Sequence, residues 1–426
     1  MAGSKTEKRV LYISLIFLMS FGAFGYGFLV GHDKYWPHET LVLAKTTART
    51  LLKTGELAPE GRTVLHAEGA PRERFHMYQA ARAVDGYYAI MGWDNSLGKY
   101  AIWLYDDEGA QLHSWTLDYE KLDADGPRNK SDAPHGMQVL PDGSIVVNFD
   151  KGDVMARLDA CSRPIWIKQG IFHHSIDIDE QGNLWTWRGE GTAYGDRQFL
   201  VQFDSETGET LQEIDFIDEI VSANADQPYI FSVRGDHEFR AHEQDPPHDE
   251  DLFHPNDIEV LPSRLAGKFD SFSTGDLLLS LRNLNLIAVL DPDTKRVRWW
   301  SRGPWTFQHD PDFTADGTIS VFDNNSDRGR SEILTIDPVT NEIRNNLLEG
   351  DLHFYTFAMG EHSNLPNGNM LVVSPGEGRV VEVTSRGDKV LEFNNVISDS
   401  HNAHVQNGDW LPKDFYSKVP HCADEN

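Results

Sequence analysis

A strand-and-turn unit recurs along this 426-residue chain. Each copy opens with a histidine, continues as a short apolar or alternating run, and ends in a tight turn such as Asp-Gly or Gly-Asn. Copies begin at His135, His174, His254, His309 and His362. A period of about 40–50 residues with several strands per unit is typical of propeller blades. Residues 86–115 add a unit without an opening histidine, so the sequence predicts an all-β, six-bladed β-propeller.

Two segments depart from the repeat. An acidic insertion over about residues 223–251 lengthens the interval between His174 and His254. A loop of that size is usually functional or disordered. The tail after Phe393 is expected to return to the first blade or to cover one face, because a closed ring leaves no free sheet edge.

The N-terminus predicts a membrane anchor. Residues 10–31 contain no charged residue, and at ~1.5 Å per residue they span a ~30 Å hydrocarbon core. Basic residues before them favour a cytoplasmic N-terminus, and the apolar run exceeds the ~7–15 residues usual for a cleaved signal peptide, which is the alternative. We expect a cytoplasmic segment 1–9, a transmembrane helix 10–31, a stalk with a short helix 32–77, and a propeller with a closing segment 78–426.

This arrangement places the body outside the cytoplasm, in the periplasm of a Gram-negative cell, with the membrane as a partner through the N-terminal helix. A formal net charge of -29 makes nucleic acid an unsuitable partner, because binding phosphates requires Lys and Arg. Cys161 and Cys422 are the two cysteines. An oxidising compartment would let them pair, and neither belongs to a CxxC zinc motif. The sequence leaves the pairing open.

The opening histidines are the first candidates for a functional site. The first strand of each propeller blade lines the central channel, so these imidazoles are expected to converge. Buried imidazoles need hydrogen-bond partners, and their convergence therefore favours a ligand site. The alternative is a structural ring that holds the blades in register.

Residues 307–328 contain the most informative pattern. His309 opens an inner strand, and Arg328 follows the next strand, which returns antiparallel to the same rim. Arginine presents a planar fork of donors to sulfate or phosphate oxygens, while histidine can act as a nucleophile or as a general acid and base. The pair predicts transfer of an oxyanion group.

The stretch Gln308-His309-Asp310, then Phe322-Asp323-Asn324-Asn325 and Arg328, resembles the arylsulfotransferase family, as do residues 254–261 and 361–369. The similarity extends over about residues 80–400. It implies a six-bladed propeller that transfers a sulfuryl group from an aryl sulfate to a phenol through a sulfohistidine, without the nucleotide donor PAPS and without a cofactor. Residues 372–379 lack the histidine expected for the family's nucleophile.

The resulting site hypothesis has two parts. The catalytic candidates are His309, Arg328, His254 and His362, with His309 or His362 in place of the missing nucleophile. Substrate binding is assigned to His174 and to three aromatic residues that could stack on an aryl ring, namely Trp305, Phe307 and Tyr355. No metal is expected in this site.

Two other functions stay open on the sequence alone. The first is a non-catalytic, membrane-tethered propeller that binds an envelope partner. The second is a metal-dependent hydrolase or lyase, in which imidazoles and Asp257, Asp310 or Asp312 bind a divalent cation. A nucleotide sulfate donor is disfavoured because the chain has no GxxxxGK[ST] loop, and Cys161 lacks the C-x-P-x-R context of sulfatases.

Overall fold

The computed structural model describes residues 5–32, 62–123, 133–149, 153–193, 195–232, 251–325, 329–345, 350 and 352–422. The chain divides into two units, residues 1–61 and 62–426. The first contains helix α1 (Lys5–His32), which includes the expected span 10–31. Over the part of the chain that the structure describes, no helix has the length and apolar character needed to cross a membrane. The anchor and the predicted domain bounds therefore stay predictions.

The second unit is an all-β propeller of six blades, as predicted, and blades 2 to 5 are each built from four consecutive strands. Ahead of the blades are β1 (Thr63–Leu65) and β2 (Phe75–Met77). Blade 1 contains β3 (Gly86–Asp94), β4 (Lys99–Asp106) and β5 (Gln111–Leu117). Blade 2 contains β6 (Met137–Val139), β7 (Ile145–Phe149), β8 (Val154–Leu158) and β9 (Pro164–Gln169). Blade 3 contains β10 (Ile171–Ile178), β11 (Asn183–Gly189), β12 (Gln198–Asp204) and β13 (Thr210–Asp215).

The remaining blades repeat this plan. Blade 4 contains β14 (Pro255–Val260), β15 (Leu277–Leu281), β16 (Leu286–Asp291) and β17 (Arg296–Arg302). Blade 5 contains β18 (His309–Phe313), β19 (Ile319–Asp323), β20 (Glu332–Ile336) and β21 (Ile343–Asn345). Blade 6 contains β22 (Glu361–Asn364), β23 (Met370–Ser374), β24 (Arg379–Val383) and β25 (Lys389–Asn394). The chain ends with β26 (His401–Ala403) and β27 (Val405–Pro412).

Short helical segments connect these strands. They are α2 (Tyr119–Leu122), α3 (Ser263–Ala266), a π-helical segment (Phe216–Val221) and three 3-10 turns, Ala80–Arg82, Arg282–Leu284 and Pro375–Glu377. Of the expected insertion 223–251, residues 223–232 and 251 are described, and the remainder lies outside the described residues.

The last strand closes the ring. β27 is the inner strand of blade 1 and pairs antiparallel with β3, from Val405 opposite Gly92 to Pro412 opposite Gly86. β26 pairs with β1, and β2 adds a fifth strand to blade 6. This confirms that the tail returns to the first blade, and it removes the sheet edge that an open ring would expose.

The core lies between neighbouring blades. Middle strands such as Ile145–Phe149 and Leu277–Leu281 are buried along their whole length, because each blade is covered on both faces. Large side chains, including Trp103, Trp115 and Trp187, are fully buried there. A disulfide joins Cys161, in the turn between β8 and β9, to Cys422 near the C-terminus. The pairing that the sequence left open is therefore present.

Candidate functional site

Five histidines lie together at one end of the channel, and we call His135, His174, His254, His309 and His404 the histidine ring. The ring centroids of His135 and His174 are 4.3 Å apart, and those of His174 and His254 are 5.1 Å apart. Burial lowers the pKa values of His309 and His404, and His135 lowers both further, which places both residues in the same group. The predicted convergence of His174, His254 and His309 is therefore observed.

His404 was missed because of chain order. It precedes β27, the inner strand of blade 1, whereas the other three strands of that blade come from residues 86–117. The unit that lacked an opening histidine in the sequence obtains one from the opposite end of the chain. A search for an inner strand in the tail, prompted by ring closure, could have found it.

Blade 6 does not contribute a histidine to the ring. Met359 lines the same small cavity as His135 and His309, and its backbone N–H donates to His309 Nε2 at 3.2 Å. His362 is the second residue of β22, the inner strand of blade 6, so it opens its unit as predicted but lies farther along than the histidine ring. Its Nδ1 is 2.7 Å from Asp310 Oδ2 and its Nε2 is 2.7 Å from Ser320 Oγ.

A hydrogen-bond chain fixes the tautomer of His174. The two amide hydrogens of Gln198 are donated to the carbonyls of Ala193 and Gly195, so its Oε1 faces His173 Nε2, at 2.8 Å. An amide oxygen can only accept, and His173 therefore carries its hydrogen on Nε2. His173 Nδ1 then accepts from His174 Nδ1, 2.7 Å away. This leaves the lone pair of His174 on Nε2.

Burial keeps this imidazole neutral. His174 is 3% exposed, and desolvation followed by the neighbouring histidines holds its pKa well below the usual 6.5. A neutral imidazole with an oriented second nitrogen is the form of histidine that can attack an electrophile.

His309 is also neutral but is held differently. Burial lowers its pKa to about 3. Its Nδ1 donates to Asn324 Oδ1 at 2.6 Å, and its Nε2 accepts from Met359. Both ring nitrogens are thus engaged with the protein, which suits an anchoring role.

His254 forms a carboxylate–imidazole pair beside an arginine. Its Nδ1 hydrogen-bonds Asp251, and Arg282 Nη1 lies 3.3 Å from its Nε2. The Arg282 guanidinium also lies over the Phe307 ring, with Cζ 4.6 Å from the centroid. A histidine oriented by a carboxylate is suited to proton transfer, and the arginine brings a permanent positive charge to the ring.

Arg282 was not among the sequence candidates. It directly follows β15 in blade 4, and the available signal was an arginine at the end of a second strand of a blade. Arg328 itself lies outside the described residues, so its assignment stays a prediction.

The aromatic candidates have different surroundings. Phe307 is half-buried and contacts Arg282, next to the histidine ring. Trp305 is 1% exposed, packs in the core between blades and donates to the Asn285 carbonyl. Tyr355 is half-buried and follows Phe354, which packs on Phe322. Their assignment to substrate binding stays a prediction, and Phe307 has the position that fits it best.

Beyond the ring, the channel becomes acidic. A cavity of about 190 Å³ is lined by seven carboxylates, Asp177, Asp257, Glu259, Asp310, Asp312, Glu361 and Asp409. We call them the acidic belt. Burial raises the pKa of Asp177 to about 6 and that of Asp409 to about 7, and burial with neighbouring carboxylates raises the pKa of Asp257 and Glu259 well above the ordinary range.

Within the described ranges, one group of side chains has metal-ligand spacing, namely Asp310, Asp312 and His362, whose donor atoms all lie within 4.8 Å of one another. His362 sits at its centre, with Nε2 also 3.6 Å from Asp312. Because both nitrogens of His362 already bond to Asp310 and Ser320, its contribution is to orient Asp310.

Comparison with known proteins identifies one family. The model of the family described as "Arylsulfotransferase (ASST)" matches residues 136–396, which is more than half of the chain. That range includes the inner strands of blades 2 to 6 and all members of the histidine ring except His135 and His404. A search of curated proteins finds no match.

Several solved structures are similar in outline. A protein of unknown function from Bacteroides caccae is 13% identical, with a TM-score of 0.49, over 73% of this chain and 94% of its own. A virginiamycin B lyase from Staphylococcus aureus is 12% identical, with a TM-score of 0.35, over 62% of this chain and 71% of its own. A chain of a nidogen/laminin complex is 9% identical, with a TM-score of 0.43, over 77% of this chain and 99% of its own. We draw no argument from similarities at this level.

Proposed function

Since this chain belongs to the arylsulfotransferase family, we propose that its histidine ring transfers a sulfuryl group from an aryl sulfate to a phenol through a covalent intermediate on His174. The observation that supports this choice of nucleophile is the hydrogen-bond chain from Gln198 through His173 to His174. It orients a neutral imidazole whose Nε2 lone pair is directed away from the protein contact at Nδ1. The nucleophile hypothesis therefore moves from His309 and His362 to His174.

The first half-reaction forms a nitrogen–sulfur bond. His174 Nε2 attacks the sulfur atom, the ester O–S bond breaks, and its electron pair stays on the aryl oxygen. His254, in its protonated form and held by Asp251, gives a proton to that oxygen, so that a phenol leaves. The hydrogen on His174 Nδ1 is shared with His173, which disperses the positive charge that develops on the sulfated imidazole.

Arg282 supplies the charge that the sulfuryl oxygens require. This cation lies against His254. Its rigid fork of N–H donors can stabilise the negative charge that builds up on the transferred group. Arg328 would act at the same rim if it occupies the equivalent position in blade 5.

The second half-reaction reverses the first. An acceptor phenol gives its proton to the now neutral His254, and its oxygen attacks the sulfur atom on His174. The O–S bond forms, the N–S bond breaks, and the imidazole returns to its starting tautomer. Phe307, held beneath the Arg282 guanidinium, offers an aromatic face for the donor or the acceptor ring.

We also propose that the propeller functions outside the cytoplasm. The Cys161–Cys422 disulfide supports this, since such bonds persist in oxidising compartments. A reporter fused after residue 426 tests it. Activity of a reporter that works only in the periplasm is expected, and activity only of a cytoplasmic reporter would contradict it.

Turnover with two substrates tests the proposed function. The full chain is mixed with para-nitrophenyl sulfate and a second phenol, and both nitrophenol release and the new sulfate ester are measured. Acceptor-dependent release is expected, with His174→Ala lowering it at least about 1,000-fold. His113→Asn, a histidine on the outer strand β5 that contacts Ala160, is the matched control and should retain activity. Full activity in His174→Ala would contradict the assigned nucleophile, and no turnover by the folded wild type would contradict the transfer.

A further inference from the structure

A second, smaller cavity lies between the histidine ring and the acidic belt. Its volume is about 20 Å³, and it shares Ser175, Asp257, Asp310 and Glu361 with the larger cavity. A single water molecule needs about 10–15 Å³. The smaller cavity, which we call the inner cavity, therefore has room for one group of that size, such as a water molecule or the head of a primary amine.

Bulges in four inner strands meet at the inner cavity. The antiparallel register shifts at Ser175 in β10, at Asn256 in β14, at Asp310 in β18 and at Gln406 in β27. All four residues line the inner cavity. A bulge leaves a residue without a cross-strand partner and re-aims its side chain, and bulges are over-represented next to functional sites. Blades 3, 4, 5 and 1 thus each bring one polar residue to the same level of the channel.

Two of these residues have a buried amide oxygen with no hydrogen-bond donor among the described residues. Asn256 is 4% exposed, and its Nδ2 donates to the Gln308 carbonyl at 2.8 Å, which leaves Oδ1 as the orphaned atom. Gln406 is 5% exposed, and its Nε2 donates to Tyr100 Oη at 3.4 Å, which leaves Oε1. A buried acceptor without a donor is unfavourable, so both oxygens favour a ligand that donates hydrogens.

Asp310 supplies a third acceptor. The backbone N–H and the Nδ1–H of His362 both donate to Asp310 Oδ2, so its Oδ1 is left for a ligand. Glu361 is engaged differently, because its two carboxylate oxygens accept from the side chain of Asn407 and the backbone of Gly408. Three oxygen acceptors from bulged residues, one of them charged, are thus open to a ligand in the inner cavity.

A primary ammonium group matches this set, because it has three N–H donors, one positive charge and no acceptor. A metal ion does not match it. The group with metal-ligand spacing among the described residues is Asp310, Asp312 and His362, and only Asp310 lines the inner cavity. A water molecule would donate two hydrogens but would leave the buried negative charge without compensation.

The larger cavity favours a second positive charge on the same ligand. Its volume is about 190 Å³, seven carboxylates line it, and no lysine or arginine does so among the described residues. Burying this many carboxylates without a compensating cation is unfavourable, and at this depth their repulsion is only weakly screened. Because the two cavities share four residues, one molecule can reach both.

We propose that the channel binds an aliphatic diamine. One ammonium group occupies the inner cavity and donates to Asn256 Oδ1, Asp310 Oδ1 and Gln406 Oε1. The second ammonium group lies among the carboxylates of the larger cavity. Each N–H needs one oxygen at hydrogen-bond distance, so the carboxylates do not need the close mutual spacing of metal ligands.

A bound diamine would also reduce the repulsion that an anionic sulfate ester meets in the channel. Ser175 follows His174 directly and lines both cavities, so the acidic belt begins one residue from the proposed nucleophile. Two positive charges there offset part of the negative charge. This consequence rests on the proposed function, whereas the binding site itself does not.

Diamine binding is measured without any sulfate ester, which separates this inference from the transfer reaction. The full chain is dialysed into an amine-free buffer and titrated by calorimetry at fixed ionic strength, with 1,4-diaminobutane as the probe. We expect one molecule per chain, with n-butylamine binding at least about 10-fold more weakly and 1,4-butanediol not binding. No binding of the diamine by the folded protein would overturn the proposal. Equal affinity for n-butylamine would overturn the role of the second ammonium group, and equal affinity for KCl would assign the site to an inorganic cation and overturn the proposal.

Variants locate the ammonium group. Gln406→Leu and Asn256→Leu each remove one acceptor, and each is expected to weaken diamine binding at least about 10-fold. Gln406→Glu keeps an acceptor and should bind more tightly than Gln406→Leu. Gln212→Leu makes the same chemical change on the outer strand β13 and should bind like the wild type. Circular dichroism establishes folding, and unchanged affinity in a folded Gln406→Leu or Asn256→Leu variant would place the amine elsewhere and overturn the assignment.

Discussion

His173 and His174 are consecutive in the chain, yet their Nδ1 atoms lie 2.7 Å apart, and His173 Nε2 lies 2.8 Å from Gln198 Oε1. These two contacts determine which nitrogen of each imidazole carries the proton. His173 therefore orients the proposed nucleophile, His174, which follows it in the sequence. Gln198 on β12 in turn orients His173. The backbone permits this because His174 has a positive φ of 59° at the bulge in β10.

The first prediction concerns the tautomer of His174. Gln198→Leu removes the acceptor at His173 Nε2 and should lower kcat by about 10–100-fold with little change in KM, since binding groups are untouched. Gln198→Glu keeps an acceptor but loses the two amide donations to Ala193 and Gly195, so it controls for a structural effect. In steady-state kinetics, the kcat of Gln198→Glu should be closer to that of the wild type than the kcat of Gln198→Leu. Equal losses in both variants would mean that Gln198 only supports the loop.

The second prediction concerns His254 as the general acid. Its contribution depends on the leaving group, because nitrophenolate needs no proton to leave whereas a simple phenolate does. His254→Gln should therefore lower kcat/KM for phenyl sulfate by about 100-fold or more and have a much smaller effect with para-nitrophenyl sulfate. A loss of the same size with both esters would assign His254 to sulfate binding instead.

The third prediction concerns Arg282. Arg282→Gln should lower kcat/KM for an aryl sulfate by about 100–1,000-fold, and Arg282→Lys by less, because lysine keeps the charge but not the fork. Arg264→Gln removes an exposed arginine that follows blade 4's inner strand and is the control. The same assays on Arg328→Gln test the sequence prediction. A variant of Arg282 with wild-type kinetics would leave Arg328 as the sulfuryl ligand.

The fourth prediction concerns stability and pH. Asp409 lies among Asp177, Asp310 and Glu361 in the channel, with Tyr416 near its other side, and burial raises its pKa to about 7. In the unfolded chain the ordinary value is about 3.9. The folded state thus binds a proton that the unfolded state releases, and stability rises as pH falls through 7. Between pH 8 and 6.5 the gain is on the order of 1 kcal/mol.

Urea unfolding of the wild type and of Asp409→Asn at pH 8 and pH 6.5 measures this contribution. The change in stability over this interval should be less favourable for Asp409→Asn than for the wild type. The buried histidines act in the opposite direction in both proteins, because their folded pKa values are lower than in the unfolded chain, so the difference between the two proteins isolates the contribution of Asp409. An identical gain in Asp409→Asn would assign the proton uptake to other members of the acidic belt.

Much of the fold was accessible from the sequence because blade repeats are periodic. The histidines at 135, 174, 254, 309 and 362 all lie in or directly before an inner strand, since a histidine before a short apolar run and a turn is a local pattern. His362 follows the same local pattern but bonds Asp310 and Ser320, while Met359 lies beside His309. The pattern alone could not distinguish His362 from the ring members, because their difference lies in contacts with distant residues.

The site depended more on contacts between distant residues. His404 joins the ring only when the tail closes blade 1, and Arg282 approaches His254 only when two strands of blade 4 return to one rim. The acidic belt is dispersed over residues 177–409, so its charge accumulates only in three dimensions. Individual carboxylates were visible in the sequence, whereas their shared cavity was not.

The most direct test of the central claim is to find the sulfuryl group on the protein. The full chain is mixed with para-nitrophenyl sulfate without an acceptor, quenched at alkaline pH and analysed by peptide mass spectrometry. We expect one added SO₃ on the peptide that contains His174, its loss on adding a phenol, and its absence in His174→Ala. Modification of another residue, such as His309, or rapid turnover with no modified peptide at any time, would contradict it.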